Sequence, residues 1–216
     1  MAQTKKRSNV TKLVITAMLS AVAVVLQYLE FGVPFVPSFL KFDFSDIPEL
    51  IGAFILGPVG GVLICLIKNL IHMLVSQSGF VGELSNFILG AAFALCAGLI
   101  YRNRKTKKTA AVACVAAAFT MALVSLPSNY FLIYPIYAKL FGGMELILGL
   151  YTAVIPAANT LWKALLIVNV PFTLVKALLC AGVTMLVYKP LSRVFDKLNA
   201  GLSRKSVPKG TAEPGK

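Results

Sequence analysis

The chain has 216 residues, of which 58% are hydrophobic and only 13% charged, with a mean hydropathy of +0.82. A soluble domain carries about 25% charged residues, so this composition excludes a soluble enzyme and reads as an all-α membrane protein. The formal net charge of +13 does not point to nucleic acid, because the basic residues sit in short blocks between apolar runs, as positive-inside flanks do.

In chain order, Lys5, Lys6 and Arg7 precede an apolar stretch from Leu13 that imitates a signal peptide. The small residues Ala21 and Ala23 fall in mid-stretch, and Gln27 and Tyr28 follow without a cleavage region, so residues 10–29 are expected to stay as a first helix. On it, Ala17 and Ala21 have the small-xxx-small spacing that lets another helix approach closely, either from this chain or from a partner. The next segment, "FGVPFVPSFLKFDFSD", is too apolar for a disordered loop.

Residues 46–76 read as one long helix or as two shorter ones broken at "LGPVGG", and charge decides between them. With the N-terminal block cytoplasmic, one crossing here would put "RNRKTKK" (102–108) outside, whereas two put it inside. Apolar runs at 82–101 and 109–127 supply two more spans. Val170–Tyr188 supplies the last, with Asn169 as N-cap and Pro171 in its first turn. Between them, "MELILGLYTAVIP" is too short to span and is expected at the interface or in a protein-lined cavity. The result is a six-transmembrane-helix bundle over residues 1–199 with N and C termini cytoplasmic, and a polar, disordered cytoplasmic tail at 200–216.

This topology gives the polar residues a geometry. Lys68 and His72 are i, i+4 on the third helix, with Asn69 beside His72 at i+3. Glu83 and Asn86 share a face at the outer end of the fourth helix, and Asn129 ends the fifth. Asn169, Thr173 and Lys176 form one stripe on the sixth, while the loop near the first helix adds Lys41, Asp43, Asp46 and Glu49. The inner halves show nothing comparable. Polar groups inside a bilayer are expensive and face protein or water, so the pattern predicts a polar cavity opening outward.

Each element also has a plainer reading. Glu83 and Asn169 suit helix caps, Lys41 and Asp43 a solvated loop pair, and Lys68, Asn69 and His72 interhelical ties to the second and fourth helices. Lys176 is different, because a buried ammonium needs a partner and no acid lies on its own helix. Cys65, Cys96, Cys114 and Cys180 all lie in apolar runs without a CxxC, which argues against a zinc site or disulfide framework. There is no GxxxxGK[ST] for ATP and no HExxH, so no catalytic or metal-binding residues are assigned.

The run "LEFGVPFVPSFLKFDFSDIPELIGAFILGPVGGVLICLIKNLIHML", followed by "VGELSNFILGAAF", resembles the riboflavin-specific substrate-binding (S) components of energy-coupling factor (ECF) transporters, the RibU family. The resemblance extends from the first helix to about Lys189. It implies a six-helix bundle in the bacterial plasma membrane, with riboflavin as transported ligand in a pocket under the first loop and no cofactor. It also implies that Ala17 and Ala21 contact a membrane-embedded coupling subunit driven by two cytoplasmic ATPase subunits. "SNYF" places Asn129 where the family has a ligand-contacting asparagine, and "NVPFTLVKALL" matches its last-helix motif with Lys176. Where the family commonly shows "PFN", this chain has Thr173, shorter than Asn.

A flavin suits such a site. Phe39, Phe42, Phe44, Tyr130 and Phe172 are expected to wall its flat ring. Asn86, Asn129, Thr173 and Lys176 would serve its carbonyls and hydroxyls, with Glu83, Lys41 and Asn169 completing the candidate set. The competing readings are an S component for thiamine, biotin or pantothenate, and an intramembrane lipid-modifying enzyme using His72 and Glu83 as an acid–base pair. A purely structural assembly subunit is a third, but it would not need an outer polar cluster.

Overall fold

The computed structural model describes the backbone of residues 2–34, 36–76 and 78–204, and the side chains of 9–34, 36–76 and 78–188. Helix α1 spans Ala2–Tyr28, and a two-stranded antiparallel ribbon follows, β1 (Phe31–Gly32) pairing with β2 (Lys41–Phe42) so that Phe31 faces Phe42 and Gly32 faces Lys41. Then come α2 (Asp46–Ile55), α3 (Pro58–His72), α4 (Val81–Asn103) and α5 (Lys107–Ser128). After these lie α6 (Tyr134–Leu140), α7 (Met144–Thr152), α8 (Leu161–Ala164) and α9 (Val170–Arg204). The tail expected at 200–216 lies mostly outside the described residues, and α9 runs past its proposed start.

Among the described residues, five helical stretches are long and apolar enough to cross a membrane: Asn9–Tyr28, Pro58–Val75, Val81–Asn103, Lys107–Leu140 and Leu161–Tyr188. Helix α2 is the exception. Its ten residues rise about 15 Å, half the hydrocarbon thickness. Yet eight of them are buried, and α2 touches α1, α3, α4 and α9. This short helix is the hub. The break before α3 comes from Gly57, whose φ of 90° disfavours any side chain, followed by Pro58 at the first helical position.

Two of the membrane-length stretches are longer than their hydropathy suggests, for one physical reason. Each is continuous through a wide turn with i→i+5 bonding: Asn129–Ile133 joins α5 to α6, and Leu165–Asn169 joins α8 to α9. Pro135 and Pro171 have no N–H to give the carbonyls four residues back, Phe131 and Ile167, both inside the wide turns. Tyr134 N–H bonds Asn129 O instead, and Val170 N–H bonds Leu165 O. This corrects the reading of Asn169 as an N-cap: it lies inside a helix. Residues 128–168, between the two spans read from the sequence, are likewise mostly helix.

Near the basic flanks, an alanine-rich face of α5 (Ala110, Ala113, Ala117, Ala118) packs against Phe93 and Ala97 of α4 and Ala177 and Ala181 of α9. Phe54 stacks on Tyr101 at 4.6 Å, and Tyr101 shares a hydroxyl hydrogen bond of 2.7 Å with Tyr188. At the other end, α6, α7 and α8 gather around Tyr134, Tyr151 and Leu165. Helix α3 crosses α4 where Gly98 meets Pro58: a Cβ at Gly98 would lie 2.6 Å from the Pro58 Cα. Gly98→Ala is therefore expected to lower the detergent-solubilised protein's stability by about 1–3 kcal/mol, read as a fall in melting temperature. Gly149→Ala, with nothing within 4 Å of its added methyl, should leave it unchanged.

Candidate functional site

Two polar networks meet at the end of the bundle that carries the ribbon. The first is ionic. Helix α2 directs Asp46 and Glu49 inward, one turn apart, and α3 answers with Lys68. Lys68 Nζ lies 3.0 Å from Asp46 Oδ1, contacts Glu49 Oε1, and donates to Ser45 Oγ. From α9, Lys176 Nζ reaches Asp43 Oδ2 at 2.8 Å and Asp46 Oδ2 at 3.6 Å. Asp43 Oδ1 also accepts the Ser45 N–H at 2.8 Å and the Ser45 hydroxyl. Lys68, Asp46 and Glu49 are fully buried, and Asp43 and Lys176 nearly so.

Asp43 lies in the loop, between β2 and α2. Burial pushes its carboxyl up, but the neighbouring Lys176 and Lys68 ammoniums outweigh that and hold it well below the usual carboxylate range. With a depressed folded-state value, its stabilising contribution is complete at neutral pH and is lost only as pH falls through that value. The expected solvated pair of Lys41 and Asp43 is thus corrected. Lys41 instead pairs with Glu30 at the end of α1.

The second network is neutral. Asn129 Nδ2 donates to Asn169 Oδ1 at 2.9 Å, Asn169 Nδ2 donates to Tyr134 Oη at 3.2 Å, and Tyr134 and Tyr151 share a short hydroxyl contact. The wide turns set this up. Each carries its asparagine at one end, and both amides are buried. Between the networks, His72 Nδ1 lies 2.9 Å from Glu83 Oε1, while Ser76 and Ser78 donate to Glu83 Oε2 at 2.8 and 2.9 Å. Ser78, two residues before the N-cap position of α4 at Phe80, accepts the Gly82 N–H at 3.0 Å through its Oγ, so Glu83 does not serve the helix end and turns inward. Gln27 of α1 donates to Asn69 Oδ1 at 3.2 Å. Lys68, Asn69 and His72 therefore tie α3 to α2, α1 and α4 respectively. No group of His, Cys, Asp and Glu able to hold a metal occurs among the described residues.

A cavity of about 580 Å³ opens between these networks, roofed by Ser38–Lys41 of the loop. Of the residues the sequence singles out, Asn86, Asn129, Asn169, Thr173 and Lys176 line it, as do Glu83, Lys41 and Phe172. Two do not. Tyr130 is a third exposed and packs on Phe131 and Trp162, because the wide turn that brings Asn129 inward sends its neighbour out. Phe42 is buried behind the lining, edge-on to Phe172 at 6.3 Å, with Phe44 against it in turn. Phe39 does line the cavity and reaches Tyr134, Tyr137 and Tyr151. Sequence reasoning missed Gln27, Ser85, Tyr134 and the α7 residues Ile147 and Leu150. "YPIY" was the available signal, two tyrosines at i, i+3 beside a proline.

A polar, ligand-sized cavity walled by membrane-length helices defines a membrane-embedded solute-binding protein. More particularly, residues 11–188 match the substrate-specific component of ECF transporters, and the chain belongs to that family. It is 33% identical to the riboflavin transporter RibU of Staphylococcus aureus (strain TCH60), over 87% of this chain and 93% of that protein. With the riboflavin transporter FmnP of Bacillus subtilis (strain 168) it shares 37% identity, over 60% of this chain and 70% of that one. A solved S component of a bacterial ECF transporter superposes with a TM-score of 0.69 at 32% identity, over 86% of this chain and 98% of that chain. A transport component of this kind is not an enzyme. The His72–Glu83 pair, locked by two serines, serves as an interhelical tie.

Replacing Lys68 by Met should leave Glu49 without a partner and Asp46 with Lys176 alone. The expected loss of stability is about 3–5 kcal/mol, measured as thermal unfolding in detergent beside Lys163→Met, where the lysine is exposed on α8.

Proposed function

We propose that this chain is the substrate-binding membrane subunit of an ECF-type transporter that captures extracellular riboflavin for ATP-driven uptake. The observation that carries the reading is the roofed cavity, with aromatic walls and a ring of amides and charges at one end of the bundle. At about 580 Å³ it lies within the range of small-molecule sites, about 300–1,000 Å³. The relatives named as riboflavin transporters support the choice of ligand.

In this reading Phe39 and Phe172 flank the flat ring, and the Asn129–Asn169 amides offer it a donor and an acceptor side by side. Asn86, Thr173 and the ammonium of Lys176 serve the remaining carbonyls and hydroxyls, with Glu83 and Lys41 at the margins. Phe42 backs Phe172 and acts through it. The loop over residues 31–45 closes on the bound ligand. Chemistry is left to partners: a membrane-embedded coupling subunit and two cytoplasmic ATPases.

The same reading places six helices across the bacterial plasma membrane, counting the short α2, with both termini cytoplasmic. Its support is the charge pattern. Lys5, Lys6, Arg7 and Lys12, the "RNRKTKK" turn, and the basic residues after Tyr188 all fall on one side. Residues 200–216 form a polar tail on that side. Ala17 and Ala21 are exposed on α1, whereas Ser20, Ala23 and Gln27 face the bundle; this open face supports a docking role toward the coupling subunit.

Purified in detergent, the protein should carry riboflavin or quench its fluorescence on titration. A colourless protein that is not stabilised by added riboflavin would refute the ligand assignment. Lys176→Met should weaken riboflavin binding by about tenfold or more (about 1.4 kcal/mol per decade). Lys139→Met, in the exposed last turn of α6, should not change it. Equal effects would remove the α9 stripe from the site.

A further inference from the structure

The ionic network contains three carboxylates, Asp43, Asp46 and Glu49, but only two ammoniums, Lys68 and Lys176. Among the described residues, the titratable groups facing it come from four elements. The loop gives Asp43 and α2 gives Asp46 and Glu49; α3 gives Lys68 and Cys65, and α9 gives Lys176 and Cys180, while α4 contributes only Gly90 beside Glu49. Among the described residues no further cation faces the network to balance the third acid. An uncompensated charge is strongly disfavoured at full burial, so one carboxyl must be neutral.

The donors say which. Asp43 receives the Ser45 N–H, the Ser45 hydroxyl and Lys176. Asp46 is approached by both lysines and stands in the first turn of α2, where the helix end favours an anion. Glu49 meets Lys68 alone; its Oε2 faces Gly90 and the weakly donating Cys65 thiol, with no nitrogen or oxygen donor among the described residues. We infer that Glu49 is a proton-binding site coupled to the loop, taking one proton from solvent when the loop brings Asp43 into the network and returning it when the loop withdraws.

The balance follows from counting charges in each state. With Asp43 withdrawn, Asp46 and Glu49 face Lys68 and Lys176, two against two, and Glu49 stays ionised. With Asp43 inserted the network carries one extra negative charge, which the proton on Glu49 cancels. Closure is thus favoured at lower pH. Its advantage falls as pH rises between the values at which Glu49 titrates in the open and closed states. The inference rests on the proposed function only in taking riboflavin as the ligand that closes the loop.

The test pairs calorimetry with infrared spectroscopy. Titrating riboflavin into the detergent-solubilised full chain, in buffers of different protonation enthalpy, should show uptake of about one proton per ligand. Glu49→Gln should reduce that uptake to about zero while leaving affinity within about threefold. In the infrared, the riboflavin-saturated protein should show a protonated-carboxyl carbonyl band that disappears in Glu49→Gln. The band should also disappear in Asp43→Asn, where the third acid is removed without touching Glu49. Tight binding without proton uptake, or a band that survives either substitution, overturns the inference. If riboflavin does not bind at all, the ligand assignment fails by itself. The ligand-free protein then decides against Asp43→Asn: a Glu49-dependent carboxyl that holds its proton to higher pH with Asp43 present than in Asp43→Asn sustains the proton site, and no difference between the two ends it.

Discussion

The constraint on which this structure depends is the buried ion network between α2, α3, α9 and the ribbon loop. In a low-dielectric interior an isolated charge is intolerable, and each ionised member of this set of five titratable side chains would be isolated without the others. Attraction at this depth is therefore a condition of assembly as much as a source of stability. It explains why α2, too short to bridge a bilayer, can sit at the centre of the bundle. Its acids are held by lysines from two longer helices, and its apolar residues fill the space between them.

The network is also one wall of the cavity, which ties recognition to architecture. Lys176 and Asp43 line the space while completing the ionic set. On the opposite wall, the amide–tyrosine chain ties α5 to α9 and, through Tyr151, to α7. The roof between the walls is pinned where it leads into α2, by Lys41 to Glu30 just beyond α1 and by Asp43 to Lys176 on α9. Any movement that admits a solute must release at least one of these contacts.

Much of this was legible in the sequence because the bilayer enforces simple rules. Apolar length marked the spans, and i, i+3, i+4 and i+7 spacing grouped Lys68 with His72 and Asn169 with Thr173 and Lys176. Other features had no local signature. The partner of Lys176 lies 133 positions away, and no periodicity points to it. Asn169 beside Pro171 has the local chemistry of a helix start, and only packing shows the helix already under way. Tyr130 was assigned to the cavity on the assumption that a residue next to Asn129 shares its side. The locally wider helix breaks that assumption.

Each wide turn holds one residue more than a regular helix would need to cover the same height. That surplus residue sets the rotational phase of everything after it, by about 100°, including Tyr134 beyond the first turn and Thr173 and Lys176 beyond the second. In these two stretches the number of residues matters more than their identity. Substitutions can be absorbed by lipid or by neighbours, whereas losing a single position would swing an entire recognition surface out toward the acyl chains.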